Sequence, residues 1–214
     1  MTPFLLVLSS PSGGGKTTIA KQLLLARDDL GYSVSATTRP VRAGEVDGRD
    51  YHFLTRDEFL RRESAGDFLE SATYGGELYG TLRSEIDRLF AARKTVVLDI
   101  EIKGARQVRA QMPTAVHVFV LPPSAAVLVG RLTGRNTESA LVLRERVARA
   151  ADELKAVGEY DYVVVNEDLF AAVAQVAAIL DAEARRVSRQ DGLGTMIERL
   201  RRDVIEEAAK FPGS

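Results

Sequence analysis

The chain has 214 residues, 45% of them hydrophobic and 28% charged, and carries a net charge of −1. That balance suits one globular domain, with or without inserted flaps, and excludes a disordered chain or a global basic field for nucleic acid or anionic membrane. Cysteine is absent, which excludes disulfides and thiolate metal sites, and no apolar run approaches the roughly 20 residues of a membrane span.

Phe4 to Ser9 is short and continuously apolar, as a buried strand is. It runs into SPSGGGKTT (Ser10 to Thr18), and Lys16 to Arg27 reads as a helix with Ile19, Leu23 and Leu24 on one face. A short strand is expected at Tyr32 to Ala36, before the polar, Gly- and Pro-rich loop TTRPVRAGEVDGRDY. Thr55 is placed to cap a helix running to Ala65. Phe68 to Tyr74 reads as a strand and Leu82 to Arg93 as a helix. Thr95 to Ile100 is a second buried strand with an acid near its end, Lys103 to Met112 a helix, and Ala115 to Leu121 a third buried strand. Ser124 to Leu132 is a helix capped by Ser after Pro-Pro, and TGRNTES is a loop. Ala140 to Val157 is a long helix, Tyr162 to Val165 a fourth buried strand, and Asp168 to Val187 an amphipathic helix.

Buried strands alternating with helices predict an α/β fold, a parallel sheet with helices on both faces. The segment 32–90 breaks that rhythm, as an inserted subdomain does. From Ser188 the tail is charged and helical in period, with Ile197, Leu200, Val204 and Ile205 on its apolar side. It reads as a solvated terminal helix or as one that docks on a partner subunit, which leaves room for a homo-oligomer. The N-terminus has no basic region ahead of its apolar stretch, so a secretory leader is not expected and a cytoplasmic location is.

Strand, glycine loop and helix in register aim backbone amides and the positive helix end at one spot, an anion site. The phosphate-loop pattern G-x-x-x-x-G-K-[ST] is met at Gly15, Lys16 and Thr17, while Ser10 stands where the first glycine belongs. The stretch Ser12, Gly13, Gly14, Gly15, Lys16, Thr17, Thr18 is the candidate site for the phosphates of ATP. Lys16 would reach the outer phosphates, and Thr17 with Asp99, the acid after TVVL, would hold Mg²⁺. A dinucleotide fingerprint fails: the glycines do not form G-x-G-x-x-G, and Ser35 stands where a ribose-binding acid belongs. Arg39 and Arg42 lie three apart across a proline, with Tyr51 beyond. Two guanidinium forks and a phenol suit a phosphate dianion; a solvated basic loop is the other reading of the same spacing. The histidines, His52 and His117, fall in strand settings and read as structural.

Taken in order, SPSGGGKTT, SVSATTRPVRAGEVDGRDYHF, FLESATYGGELYGT, VVLDIEIKGA and RLTGRNTES resemble the guanylate kinases, a family of nucleoside monophosphate kinases, from about Phe4 to about Gln190. The resemblance implies a phosphate-loop core at 1–34 and 91–190 with a lid at about 131–145, an inserted GMP-binding subdomain at 35–90, and a helical tail at 191–214. It implies transfer of phosphate from ATP to GMP, with dGMP a further acceptor, in purine nucleotide metabolism. The implied partners are these small molecules, with no nucleic acid or membrane. Arg39, Arg42, Tyr51 and Tyr79 would bind the GMP phosphate, and Ser35, Glu70 and Thr81 would read guanine with Glu101 close by. Arg131 and Arg135, flanking the lid loop, and Arg146 on the next helix would meet the transferred phosphoryl group, with Arg144 and Arg149 near enough to swap.

Chemistry agrees with the guanine assignment. Guanine presents two neighbouring donors on its pairing edge, a carboxylate accepts both, and adenine offers no such pair. Three positions depart from the family pattern. Thr81 stands where Ser is common, Glu101 where Asp is common, and Ser10 where the loop usually begins with Gly. The family's tolerance of small residues there predicts an ordinary negative φ at Ser10. Two rival readings remain in view: a sugar-phosphate kinase of the ribose bisphosphate phosphokinase type, and a non-catalytic guanylate-kinase-like binding module.

Overall fold

The computed structural model describes residues 1–133 and 140–211 of the chain. Its strands are β1 (Leu5–Ser9), β2 (Leu30–Tyr32), β3 (Ala36–Thr37), β4 (His52–Phe53), β5 (Phe68–Tyr74), β6 (Glu77–Leu82), β7 (Thr95–Asp99), β8 (Val116–Leu121) and β9 (Tyr162–Val165). The helices are α1 (Lys16–Ala26), α2 (Arg56–Ser64), α3 (Arg83–Ala91), α4 (Ile102–Gln111), α5 (Ala125–Thr133), α6 (Ala140–Glu153), α7 (Leu169–Ala184) and α8 (Leu193–Ala208).

Five strands form a parallel sheet in the order β2-β7-β1-β8-β9. β1 lies at its centre and all five of its residues are buried, which is why LLVLS is continuously apolar. Leu6 and Leu8 pack on Ile19 and Leu23 of α1 and on Val176 and Leu180 of α7. Leu5 and Val7 face the other way, toward Ile86 and Leu89 of α3 and Ala105 and Val108 of α4. Each such leucine, once fully buried, contributes about 1.5–3 kcal/mol. The α/β expectation, a parallel sheet with helices on both faces, matches this arrangement.

A second sheet has the order β4-β3-β6-β5. α2 covers it by stacking Phe59 on Phe68, ring centroids 4.4 Å apart. α2 starts where Thr55 predicted, the Thr55 side chain accepting from the Glu58 amide. α5 and α6 pack together through Leu128, Leu132 and Ala150.

Several expectations change. Among them, the strand expected as the fourth buried one, β9, is an edge strand with Val163 and Val165 exposed, and the helix expected to Val187 ends at Ala184. The strand expected at Tyr32 to Ala36 is two strands: β2 ends at Tyr32, and Ser33 to Ser35 carry the chain into the second sheet. β6 lies where no strand was expected. Gly75 and Gly76, both at positive φ (60° and 87°), form the two-residue turn that pairs Tyr74 with Glu77. The helix expected to Val157 ends at Glu153 and tightens into a 3-10 stretch, Leu154–Glu159. Thr133 closes α5, and the rest of the TGRNTES loop lies outside the described residues. α8 buries none of its residues, and Met196, Ile197, Leu200, Val204 and Ile205 are exposed on it. Among the described residues no helix is long and apolar enough to cross a membrane.

Candidate active site

The glycine loop leaves the C-terminal end of β1, the end of a parallel sheet at which ligands bind. Gly13 and Gly15 have φ of 82° and 96°, conformations that L side chains rarely adopt. Gly15 is the N-cap of α1 and no side-chain hydrogen bond caps the helix, which leaves its first-turn amides available to an anion at the loop; the Thr18 amide donates to Gly15 O at 3.2 Å. Ser10 has no positive φ; among the described non-glycine residues only Arg93 does. The expectation for Ser10 holds, and the close packing explains it. A Cβ at Gly14 would stand 2.5 Å from the Ser10 Cβ, so it is Gly14 that yields the space. Ser10 is buried and its hydroxyl donates to Pro11 O at 2.9 Å.

Charged groups from distant elements meet over this loop. Lys16 Nζ donates to Glu101 Oε1 at 2.7 Å. Ser12 N donates to Glu153 Oε2 at 2.9 Å, and burial, reinforced by the Glu101 charge, pushes the Glu153 carboxyl up. Arg131 donates to Gly14 O at 3.3 Å and to Asn166 O at 3.4 Å, while Arg146 reaches Leu132 O at 3.5 Å. Ser12, Lys16, Glu101, Arg131, Arg146 and Asn166, together with Thr17, Thr18 and Tyr51, line a cavity of about 780 Å³. Asp99 ends β7 and accepts a hydrogen bond from Tyr32 OH at 2.6 Å.

The second sheet carries the acceptor candidates in one row. Ala36 lies opposite Gly80 and Thr37 opposite Tyr79; one residue further back, Ser35 falls opposite Thr81. Ala36 lies beside His52 in the parallel pair β3–β4, so Ser35 falls beside Tyr51. β5 sets Glu70 opposite Thr81. Tyr51, Ser35, Thr81 and Glu70 thus cross four strands at one level. A bulge precedes Glu70: Leu69, 1% exposed, turns into the core under the parallel sheet while Glu70 turns to Thr81. Thr81 Oγ1 donates to Glu70 Oε1 at 2.7 Å. Glu70 is 6% exposed, and burial pushes its carboxyl up against the lowering effect of Thr81.

Tyr79 sits two residues from Thr81 on the same face, its ring centroid 6.2 Å from that of Tyr51. The Arg39 guanidinium lies 5.3 Å from the Tyr51 ring centroid and pairs with both oxygens of Glu45 at 2.7 and 3.0 Å. The Arg42 side chain is exposed, and its amide donates to Glu45. Arg39 and this amide hold the Glu45 carboxyl below the usual carboxylate range. Glu101 also lines a second cavity of about 570 Å³ between the β5–β6 turn, α4 and α6, together with Arg149. Arg144 is exposed, and Arg135 lies outside the described residues. Neither His52 nor His117 lines the first cavity.

Sequence reasoning missed four residues of this constellation. Asn166 is buried, donates to Gly14 O at 3.0 Å, and occupies the space a Cβ on Gly15 would need. Its position just after the last strand of the parallel sheet was a usable signal. Glu153, Tyr32 and Glu45 carry no such signal, because their partners lie on other elements or in an irregular loop.

The guanylate kinase family model matches residues 3–183 of the chain. A guanylate kinase of Paramagnetospirillum magneticum is 47% identical over 199 residues, covering 92% of each chain. One of Symbiobacterium thermophilum is 45% identical over 197 residues, covering 91% of this chain and 93% of the relative. The crystal structure of guanylate kinase from Anaplasma phagocytophilum superposes with a TM-score of 0.74 at 35% identity, covering 92% of this chain and 95% of that one. With the phosphate loop and the row across the second sheet, these matches lead to one conclusion: the chain belongs to the guanylate kinase family.

Proposed function

We propose that the chain transfers the γ-phosphate of ATP to GMP, giving ADP and GDP, with dGMP as a second acceptor. The observation that carries the reading is the row Tyr51, Ser35, Thr81 and Glu70, one end of which, Tyr51, shares a cavity with the phosphate loop. A buried carboxylate beside a hydroxyl suits two adjacent donors on a purine edge. The glycine loop and Lys16 take the donor phosphates, while Arg39, Arg42, Tyr51 and Tyr79 take the acceptor's. The lid and the second sheet act as separate parts: 35–90 holds GMP, and 131–145 covers ATP. The proposed role is in purine nucleotide metabolism in the cytoplasm.

The acceptor is itself a phosphate with a second pKa near 6, mostly dianionic at pH 7, so the chain needs no general base. Catalysis is alignment and charge neutralisation. Lys16 leaves Glu101 for the outer phosphates of the donor. Arg131 and Arg146, with Arg135 from the lid, neutralise charge on the group in flight. Excluding water protects ATP from hydrolysis.

Magnesium fits this donor set. The Thr17 hydroxyl and the Asp99 carboxylate are hard oxygen ligands, and the described residues hold no cluster of three metal-ligating acids or histidines. That suits an ion that takes most of its ligands from phosphates and water. Bound there, it would neutralise phosphate charge. A sugar-phosphate acceptor would leave Glu70 and Thr81 nothing to read. A pure binding module would have no use for Lys16, Thr17 and Asp99 together.

A coupled ADP-release assay with ATP and GMP, dGMP, AMP, UMP or ribose bisphosphate tests this. Turnover is expected on GMP and dGMP; equal turnover on AMP would refute the guanine site. Lys16→Ala is expected to lower kcat by roughly 10²–10³-fold with an unchanged melting curve.

A further inference from the structure

α4 meets β5 along one face. Gln107 clamps the strand backbone, its Oε1 accepting from Ser71 N at 3.1 Å and its Nε2 donating to Ser71 O at 2.7 Å. Three residues earlier on the same face stands Gly104, which is buried. Gly104 is not among the glycines at positive φ, so any L residue could adopt its backbone. Helix propensity would favour almost any other residue there. What glycine supplies is room: a Cβ at 104 would overlap Oε2 of Glu70 and lie 3.1 Å from its carboxyl carbon.

We propose that Gly104 is a specificity-determining position, the absent side chain seating the Glu70 carboxylate against α4 at the angle that accepts both donors of a guanine edge. Gln107 supports this as a positioning residue, by fixing the strand that carries Glu70. The inference rests on the reading of Glu70 as the acceptor for guanine. A methyl group at 104 displaces only the far end of a flexible side chain, so the fold tolerates it. Base reading does not, because both carboxylate oxygens must lie in the plane of the base. The N-cap of α4 is Glu101, the residue that accepts from Lys16. One helix therefore carries the seat of the base reader and the neighbour of the phosphate-loop lysine.

The test compares Gly104→Ala with wild type, and with Gly194→Ala as a control for helix propensity. Gly194 lies in α8, and a Cβ there meets nothing within 4 Å. ADP release gives KM for each nucleotide, calorimetric titration gives the Kd for GMP, and a melting curve reports the fold. Gly104→Ala is expected to raise KM and Kd for GMP by about tenfold or more while KM for ATP moves less than about twofold. Its melting temperature should equal or exceed that of wild type, as in Gly194→Ala. Gln107→Ala should shift the same GMP constants in the same direction, by less. Unchanged GMP constants in Gly104→Ala would overturn the proposal. So would a lowered melting temperature with both KM values rising together, since that is the signature of packing alone. If wild type itself released no ADP with GMP, the reading of the whole site would fall; an indifferent Gly104→Ala in an enzyme that uses GMP removes only the role of Gly104.

Discussion

Glu70 is a buried carboxylate that accepts from the Thr81 hydroxyl, and burial raises its pKa. Guanine offers two donors, so it needs the ionised form. As pH falls through the raised pKa the acid takes a proton and becomes a donor itself. KM for GMP is therefore expected to rise toward acid pH while KM for ATP changes little. The phosphate of GMP also titrates near 6, so Glu70→Gln is the reference: its slope carries the phosphate alone, and the excess slope of wild type belongs to Glu70. Equal slopes across the whole pH range in which both proteins stay folded would contradict an ionised Glu70 reading the base. At this scale the sequence was legible where chemistry needs fixed spacing, as in Gly15, Lys16 and Thr17. It was not legible for Glu153, which reaches Ser12 from a helix 141 residues away. Nor was it for Glu45, whose pairing with Arg39 depends on how an irregular loop folds back.

Among elements, helices with a polar cap had starts readable from sequence to within a residue, while the end of α7 came three residues earlier than expected. Thr55, Ser124 and Asp168 each accept from an amide at the start of α2, α5 and α7, at 3.2, 3.2 and 2.8 Å. Thr55→Ala is expected to cost about 1 kcal/mol and lower the melting temperature by about 2–4 °C. A thermal melt reads this directly, and KM for ATP should not change, since α2 covers only the second sheet. Strands were readable where both faces are buried, as in β1, β7 and β8, and in β9 from its apolar run although that edge strand exposes Val163 and Val165. In the second sheet one face carries polar side chains, and two of the strands are very short. β3 and β4 have two residues each, too few to show a period. β6 escaped notice although Gly75-Gly76 between two alternating runs is a hairpin signal.

At the scale of the molecule, His117 ties stability to pH. It is 1% exposed within the parallel sheet, facing the Tyr160 ring at 5.9 Å with Arg109 and Asp161 nearby. Burial, with Arg109 adding to it, pushes its imidazole down to about 4, against 6.5 for an exposed histidine. Between these values the unfolded chain binds a proton that the folded chain refuses, so stability falls as pH drops from 6.5 toward 4, by at most about 3 kcal/mol. Glu70 and Glu153 act in the opposite sense, since their raised carboxyls take protons in the folded state first. Urea midpoints of wild type and His117→Phe at pH 7 and pH 5 isolate the histidine. Wild type should lose about 2 kcal/mol more than the variant between these pH values; equal losses would contradict a buried neutral imidazole.

The register of the two sheets also sets an order on assembly. β1 pairs with Val96 and its neighbours on one side and with Val116 and its neighbours on the other, so the loop that leaves it is not seated until more than half the chain exists. Every strand pair of the second sheet closes within 36–82. On a ribosome the second sheet is complete in sequence long before the parallel sheet. The stretch synthesised first is among the last to gain its partners.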